Sequence, residues 1–301
     1  MLVPYRYRDG RRGLHFFLFT MSKVCTTRPA PAVSARQLRD TQEAFDSVAA
    51  DYDGSRGNND LIQDMRRETW QWLDATFAPG SRLIDLGCGT GLDAVRMAKL
   101  GHFVTATDWS SQMVSRTKDR AEREGVTERV TALTVGGHEL HLLDAASMYD
   151  GMYSNLGPLN CVPDLADVSR ECARLLKPGG ALVFTVIGRV CPWEIAHYLR
   201  QRRWARAALR FAPDIVPVSM NNHTIWTRYY GPREFYRAFK PNFALEHFRG
   251  VCLFAPPPYL TSVRDKYPRL YKWLWHMDRQ MSGTPLLRGM GDHFLIVMRK
   301  K

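Results

Sequence analysis

Alternating glycines follow an apolar segment in the first third of the chain. The segment is Leu83-Ile84-Asp85-Leu86, and Gly87, Gly89 and Gly91 come directly after it. Glycine lets the backbone turn sharply and lets a ligand approach without a Cβ atom in the way. A helix that begins after such a loop points its free N–H groups at the ligand. The pattern therefore predicts a nucleotide-type binding loop between a strand and a helix.

A second acid supports this interpretation. Asp108 lies 23 residues after Asp85, at the end of the next predicted strand, where a carboxylate can accept hydrogen bonds from ribose hydroxyls. Trp109 offers an aromatic face for a base. Leu92 occupies the position of the third glycine in a dinucleotide-binding loop, and the GK[ST] ending of a P-loop is missing, so both classes are disfavoured. The carboxylate of Asp85 would repel a pyrophosphate. It suits a ligand that carries positively charged sulfonium and α-ammonium groups.

Strands and helices alternate around these motifs. Helical periodicity begins at Thr41 and predicts helices over 61–77, 93–100, 111–124, 165–176 and 193–211. Apolar, β-rich runs predict strands over 82–86, 103–107, 130–135, 151–154, 181–187, 244–254 and 293–298. This βαβ alternation predicts an α/β fold, a doubly wound, mostly parallel sheet with helices on both faces.

These motifs as a set resemble class I S-adenosylmethionine (SAM) dependent methyltransferases of the small-molecule or lipid type. The resemblance rests on the loop at 85–91, on Asp108, on the segments at 45–53 and 149–154, and on the turn at 176–180. It implies a Rossmann-like class I methyltransferase fold with seven strands and a C-terminal cap insertion. It also implies SAM as the cofactor and an enzyme that transfers a methyl group. No metal site is expected.

The resemblance also implies which residues hold the cofactor. The candidates are Tyr52, Asp85, Gly87, Cys88, Gly89, Gly91, Asp108, Trp109, Met113, His138, Glu139 and Asn155. One departure concerns the third strand, where Gly137 replaces the acid that usually lies near the adenine. Either His138, Glu139 or a backbone group must then make that contact.

Methyl transfer from a sulfonium is an in-line displacement, so the protein mainly has to align the two reactants. A base is needed only when the acceptor atom carries a proton at neutral pH. Tyr52 and His223 are the candidate catalytic residues, the second within a polar run in the predicted cap. The pair Asp292-His293, at the start of the last strand, is interpreted as structural.

The charge is distributed unevenly along the chain. Residues 1–38 hold seven Lys or Arg and one acid, residues 39–188 hold 15 bases and 22 acids, and residues 189–301 hold 20 bases and seven acids. The predicted organisation is a disordered or non-native extension (1–38), a SAM-binding core (39–188), a helical and aromatic cap (189–235) and strands that complete the sheet (236–301). The basic C-terminal third is suited to an anionic partner.

Several hypotheses about partners remain open at this point. The first is a small or lipid-like acceptor, with the aromatic residues of the cap around an apolar cavity and its arginines near an anionic head group or membrane surface. The alternatives are an RNA or protein methyltransferase and a non-catalytic SAM-binding protein. A nucleic-acid partner is disfavoured, because the basic residues lack any recognised RNA-binding module. Six scattered cysteines without a CxxC pair predict reduced thiols and a cytoplasmic location. The oligomeric state is not predicted.

Overall fold

The computed structural model describes residues 33–54, 57–145 and 148–301. Its strands are β1 (Arg82–Leu86), β2 (Phe103–Asp108), β3 (Val130–Thr134), β4 (Tyr149–Ser154), β5 (Leu176–Ile187), β6 (Val216–Met220), β7 (His223–Thr227), β8 (Phe243–Val251) and β9 (His293–Lys300). Its helices are α1 (Ala35–Val48), α2 (Asp60–Thr76), α3 (Leu92–Lys99), α4 (Ser111–Arg123), α5 (Leu165–Leu175), α6 (Pro192–Arg200), α7 (Trp204–Ala207), α8 (Pro232–Phe239), α9 (Thr261–Lys266) and α10 (Pro268–Met281).

Seven strands form one sheet in the order β3-β2-β1-β4-β5-β9-β8. Strands β1 to β5 pair in parallel, whereas β9 is antiparallel to both β5 and β8. The strand order reverses direction between β1 and β4, and ligands of such sheets bind beyond the carboxyl ends of the strands at this reversal. The predicted Rossmann-like, mostly parallel seven-stranded sheet is confirmed.

Helices cover both faces of the sheet, which is why its central strands are apolar on both sides. Side chains of α2, α3, α4 and α10 belong to the hydrophobic cluster on one face, and those of α5 and α8 belong to the cluster on the other. Leu83 and Ile84 of β1 are completely buried, one in each cluster. The glycine loop is thereby anchored to a rigid strand.

The segment 189–235 differs from the predicted helical cap. The expected helix over 193–211 ends at Arg200, and Arg202 has a left-handed φ of 56° that a helix cannot continue. The chain folds back there, and Arg210 is then buried against Glu194 and Asp292. Strands β6 and β7 then form a hairpin, whose two turn residues, Asn221 and Asn222, both have positive φ.

Helix α1 begins six residues earlier than predicted. Ser34 caps it by accepting a hydrogen bond from the N–H of Gln37, so the predicted extension over residues 1–38 overlaps its first turn. Residues 1–32 lie outside the described residues, as do 55–56 and 146–147. Within the part of the chain that the structure describes, no helix has the length and apolar character needed to cross a bilayer.

Candidate functional site

The loop after β1 forms one wall of a cleft at the carboxyl edge of the sheet. Gly87, Cys88 and Gly89 line this cleft. The N–H groups of Gly87 and Cys88 donate to the carbonyl oxygen of Thr107 on β2, at 2.8 and 2.9 Å. These bonds fix the loop against the second strand and leave its outer surface free for a ligand.

Asp108 lies at the end of β2 and is tied to the loop. Its Oδ2 accepts the N–H of Gly89 at 2.9 Å, and its Oδ1 accepts the N–H of Ser110 at 2.9 Å. Each carboxylate oxygen keeps a second lone pair for a ribose hydroxyl. Burial raises the pKa of Asp108 to about 6, because the two backbone donors only partly compensate for the lost water.

Trp109, Met113 and His138 line the next part of the cleft. The rings of Trp109 and His138 meet edge to face, with centroids 4.6 Å apart. Burial lowers the pKa of His138, which favours a neutral ring at neutral pH. This arrangement forms an aromatic slot suited to a purine. Glu139 does not enter the slot, because its Oε2 accepts the N–H of Gly136 at 2.9 Å.

A buried polar network closes the opposite end of the cleft. Arg66 reaches it from α2 and pairs with Asp93 of α3 at 2.5 Å. Asp93 also accepts hydrogen bonds from the indole of Trp70 at 2.7 Å and from the amide of Asn155 at 3.1 Å. Arg66, Asp93 and Asn155 all line the cleft. Among the described residues, nothing bonds to the buried Nε atom of Arg66, so this guanidinium retains capacity for an anionic group.

Tyr52 covers the glycine loop from the connection between α1 and α2. A Cβ atom built on Gly89 would lie 3.7 Å from Cε1 of Tyr52, so the ring and the loop face each other across the cleft. Burial raises the pKa of Tyr52, although the nearby Arg66 opposes this. A phenol with a raised pKa stays protonated at neutral pH. Tyr52 is therefore suited to donating a hydrogen bond and poorly suited to acting as a base.

Most of the predicted cofactor residues meet in this one cleft. Those that line it are Tyr52, Gly87, Cys88, Gly89, Asp108, Trp109, Met113, His138 and Asn155. Asp85 lies beneath it, and burial together with the nearby Asp93 raises its pKa well above the usual range. Gly91 precedes α3 as its N-cap and packs against Thr117, and Glu139 bonds to the backbone of Gly136. Asp85, Gly91 and Glu139 do not line the cleft, so their cofactor contacts stay predictions.

A second cavity, of about 500 Å³, adjoins the cleft. Both are lined by Tyr52, Leu156, Ile187 and Met220, so the two spaces meet at these side chains. The other lining residues of the second cavity are Ser47, Val48, Asp51, Gly54, Gly57, Ile62, Met65, Arg210, Asn221, Pro258, Tyr259, Asp292 and His293. The β6–β7 hairpin and the connection between α1 and α2 supply much of this wall.

Two sets of predicted cap residues lie away from both cavities. His223 is exposed on the hairpin and lines neither cavity, so the structure does not bring it to the site and its catalytic role stays a prediction. The aromatic side chains expected around an apolar cavity, which are Trp193, Tyr198, Trp204, Phe211 and Trp226, do not line either space. The indole of Trp226 instead donates to Asp40 at 3.0 Å, and Trp204 is largely exposed.

The comparison with protein families agrees with this geometry. Residues 83–180 match the family model described as a methyltransferase domain, and this span contains the glycine loop, Asp108 and β4. Residues 83–180 of the chain are thus a methyltransferase domain. SAM is the cofactor of this domain, and the cleft has the donors and acceptors that it requires. Asp108 fits the ribose, the aromatic slot fits the adenine, and the partly unpartnered Arg66 fits the carboxylate.

Two curated methyltransferases are similar to the domain region. The ubiquinone biosynthesis O-methyltransferase of Vibrio vulnificus (strain YJ016) is 33% identical over 135 residues, which cover 45% of this chain and 54% of that protein. The 27-O-demethylrifamycin SV methyltransferase of Amycolatopsis mediterranei (strain S699) is 39% identical over 104 residues, covering 34% of this chain and 37% of that protein. The chain thus spans about half the length, or less, of these curated relatives.

The fold extends beyond the matched region. The solved structure of the [4+2]-cyclase SpnF is similar, with a TM-score of 0.58 and 20% identity over 90% of this chain and 98% of that one. At this identity the similarity shows the fold alone. It is nevertheless informative, because it includes the C-terminal part of the chain that the methyltransferase domain model leaves out.

Proposed function

We propose that the protein transfers a methyl group from SAM to a small or lipid-like acceptor bound in the second cavity. Two similarities support a small-molecule acceptor, since the relatives are named for ubiquinone biosynthesis and for demethylrifamycin SV. The main observation behind the proposal is that the cofactor cleft and the second cavity adjoin each other. Tyr52, Leu156, Ile187 and Met220 line both, so an acceptor in the cavity lies next to the methionine end of the cleft.

The cavity has the size and lining of a small-molecule site. Its volume of about 500 Å³ lies within the range of about 300–1,000 Å³ typical of such pockets. Apolar side chains such as Ile62, Met65 and Pro258 supply much of its wall, and a few polar groups, including Asp51 and Tyr259, are interspersed. This composition favours an amphipathic acceptor with an apolar body and a polar reacting group.

The chain's own residues would perform the alignment that the reaction needs. When bound, SAM supplies an electrophilic methyl group on a positively charged sulfur. Asp108 would hold its ribose and Arg66 its carboxylate, which fixes the methyl group at the junction. Leu156 and Ile187 would exclude water there and orient the acceptor in line with the departing sulfur. Such alignment of two reactants contributes about 7–11 kcal/mol to the lowering of a barrier.

An incubation with methyl-labelled SAM tests the proposal. The purified protein is mixed with labelled SAM and cell extract, and the label is then followed into organic-soluble, RNA and protein fractions. We expect the label in the organic-soluble fraction. The matched control is Gly89→Val, which should transfer nothing because its side chain would fill the cofactor's path.

The other outcomes of this experiment identify the alternatives. Label in RNA or protein would contradict a small-molecule acceptor and favour a macromolecular substrate. Binding of SAM without any transfer of label would favour a non-catalytic SAM-binding protein. In that case the proposed reaction would be excluded.

A further inference from the structure

Asp292 and His293 lie where the last strand enters the sheet. Strand β9 runs antiparallel to β5, and His293 pairs with Ile187, the final residue of β5. The first residue of β9 is therefore at the same edge of the sheet as the carboxyl ends of the parallel strands. Both Asp292 and His293 are buried, and both line the second cavity.

The two side chains form a hydrogen-bonded pair. Nδ1 of His293 lies 3.0 Å from Oδ2 of Asp292, so the carboxylate accepts the Nδ1 proton. This bond leaves the Nε2 atom of the neutral ring with a free lone pair. Among the described residues, none forms a hydrogen bond with Nε2, which makes it available to a molecule in the cavity.

Buried groups hold Asp292 in its charged form and in place. Nη2 of Arg210 donates to its Oδ1 at 2.7 Å and to Oε2 of Glu194 at 2.6 Å. Nη1 of Arg210 also donates to the carbonyl oxygens of Gly188 and Asp292, both at 3.0 Å. Although burial opposes ionisation, Arg210 and His293 hold the pKa of Asp292 well below its usual range. The carboxylate is thus a permanently ionised partner for the imidazole.

We infer that His293, oriented by Asp292, is the general base that accepts the proton of a hydroxyl acceptor during methyl transfer. The inference rests on the function proposed above and adds the acceptor class, an alcohol, enol or phenol. A carboxylate, an imidazole and a substrate hydroxyl in sequence are a common arrangement for removing a proton from oxygen. Within the second cavity, Tyr52 does not serve this role, because its phenol stays protonated at neutral pH.

The step balances in atoms and charge. The O–H bond of the acceptor breaks, and its proton passes to Nε2 of His293. The electron pair left on oxygen forms the bond to the methyl carbon. The bond between that carbon and the sulfonium sulfur breaks, and its electron pair stays on sulfur as a neutral thioether. The imidazolium is stabilised by Asp292 and later returns its proton to solvent.

Two variants of His293 test the role in turnover. Transfer of ¹³C-methyl from SAM into the organic-soluble extract is measured for the wild type, His293→Gln and His293→Ala. We expect His293→Gln to lower the rate about 100- to 10,000-fold, the usual range for losing a general base, with S-adenosylhomocysteine affinity unchanged within about twofold. Added imidazole should restore part of the activity of His293→Ala. The control is His276→Gln, an exposed histidine of α10, which should behave as the wild type.

A second measurement does not depend on the acceptor. Nitrogen NMR of histidine-labelled protein should show the neutral His293 ring protonated on Nδ1 and not on Nε2. The variant Asp292→Asn, which removes the charge that orients the ring, should shift the proton toward Nε2. A neutral wild-type ring that carries its proton on Nε2 would overturn the inference, and so would a His293→Gln enzyme that keeps more than about a tenth of the rate.

The chemical identity of the methylated product shows whether only this inference fails or the proposed function fails as well. A ¹³C shift typical of a methyl ether supports a hydroxyl acceptor, whereas an N-methyl or C-methyl product overturns it while leaving methyl transfer intact. If the wild-type protein transfers no label, the proposed function fails. The NMR result then still decides whether His293 is arranged to accept a proton.

Discussion

Asp108 is the residue on which cofactor affinity should depend most directly. Its carboxylate already accepts two backbone N–H groups and has lone pairs left for the ribose. Asp108→Asn should weaken S-adenosylhomocysteine binding by about 1.5–3 kcal/mol, since one acceptor oxygen becomes an NH₂ donor and one hydrogen bond to a charged group is lost. Calorimetry at neutral pH measures this loss. The exposed Asp119 of α4 gives a matched control, Asp119→Asn, and equal affinities of the two variants would contradict the assignment.

The raised pKa of Asp108 also predicts how binding depends on pH. Ribose hydroxyls donate to the ionised carboxylate, so the cofactor favours the charged form and the protonated form binds more weakly. Because burial raises the pKa of this group to about 6, affinity should fall as the pH drops through about 6. Titrations of S-adenosylhomocysteine at about pH 7.5 and about pH 5 measure the effect. Asp108→Asn should remove this dependence, and an unchanged slope would assign it to another group.

Gly89 should tolerate no side chain, for reasons of space as well as conformation. Its φ is 54°, and a Cβ atom there would point toward Tyr52 across the cofactor cleft. Gly125 has a similar φ of 67°, but no described residue lies within 4 Å of the position that its Cβ atom would take. Gly89→Val and Gly125→Val therefore introduce comparable backbone strain, of about 1–2 kcal/mol. We expect calorimetry to show binding of S-adenosylhomocysteine only for Gly125→Val; binding by both would mean that the loop does not contact the cofactor.

At the scale of elements, α1 couples the cofactor cleft to the hairpin. Ala44 of this helix is completely buried against Met220 and Ile225. The N–H of Trp226 on β7 donates to Oγ1 of Thr41, and the Gln42 amide donates to the carbonyl oxygen of Trp109. One helix thus contacts both the wall of the second cavity and the adenine slot.

Ala44→Leu should disrupt the packing of α1 against the β6–β7 hairpin. Overpacking of a tight contact costs about 1–3 kcal/mol, and Ala35→Leu provides the same substitution at an exposed position of the same helix. We expect only Ala44→Leu to lower the free energy of unfolding in a urea titration and to weaken S-adenosylhomocysteine binding. Equal behaviour of the two variants would show that the helix and the hairpin do not depend on each other.

At the scale of the whole molecule, the basic C-terminal third is less available to nucleic acid than its composition suggests. Arg210 is buried, Arg249 pairs with Glu68 at 3.1 Å, and Arg299 pairs with Glu246. We therefore expect RNA binding no tighter than the ~10⁻⁴–10⁻⁶ M typical of nonspecific contacts at physiological salt. A filter-binding titration at two salt concentrations measures this. Tight, sequence-dependent binding would favour the RNA methyltransferase hypothesis instead.

The cofactor half of the site was predictable because its motifs are local. The loop at 85–91 and Asp108 each end a strand of a parallel sheet, and neighbouring parallel strands end at the same edge. Gly87, Gly89 and Asp108 therefore meet in space for the same reason that they are recognisable in the sequence. The hairpin was not predicted, although Asn221-Asn222 is a local signal for it, since two adjacent residues that tolerate positive φ favour a two-residue turn.

Local sequence patterns were sufficient to predict the mostly parallel sheet, the cofactor class and the residues of the loop. The positions of α2, the hairpin and the last strand relative to that loop became clear from the folded structure alone. Arg66 is one of several polar residues that α2 buries, and its approach to Asp93 depends on how α2 packs. Asp292 and His293 face the cavity because β9 runs antiparallel beside β5. Such contacts join residues far apart in the chain, so they depend on long-range packing that local patterns of residue type do not specify.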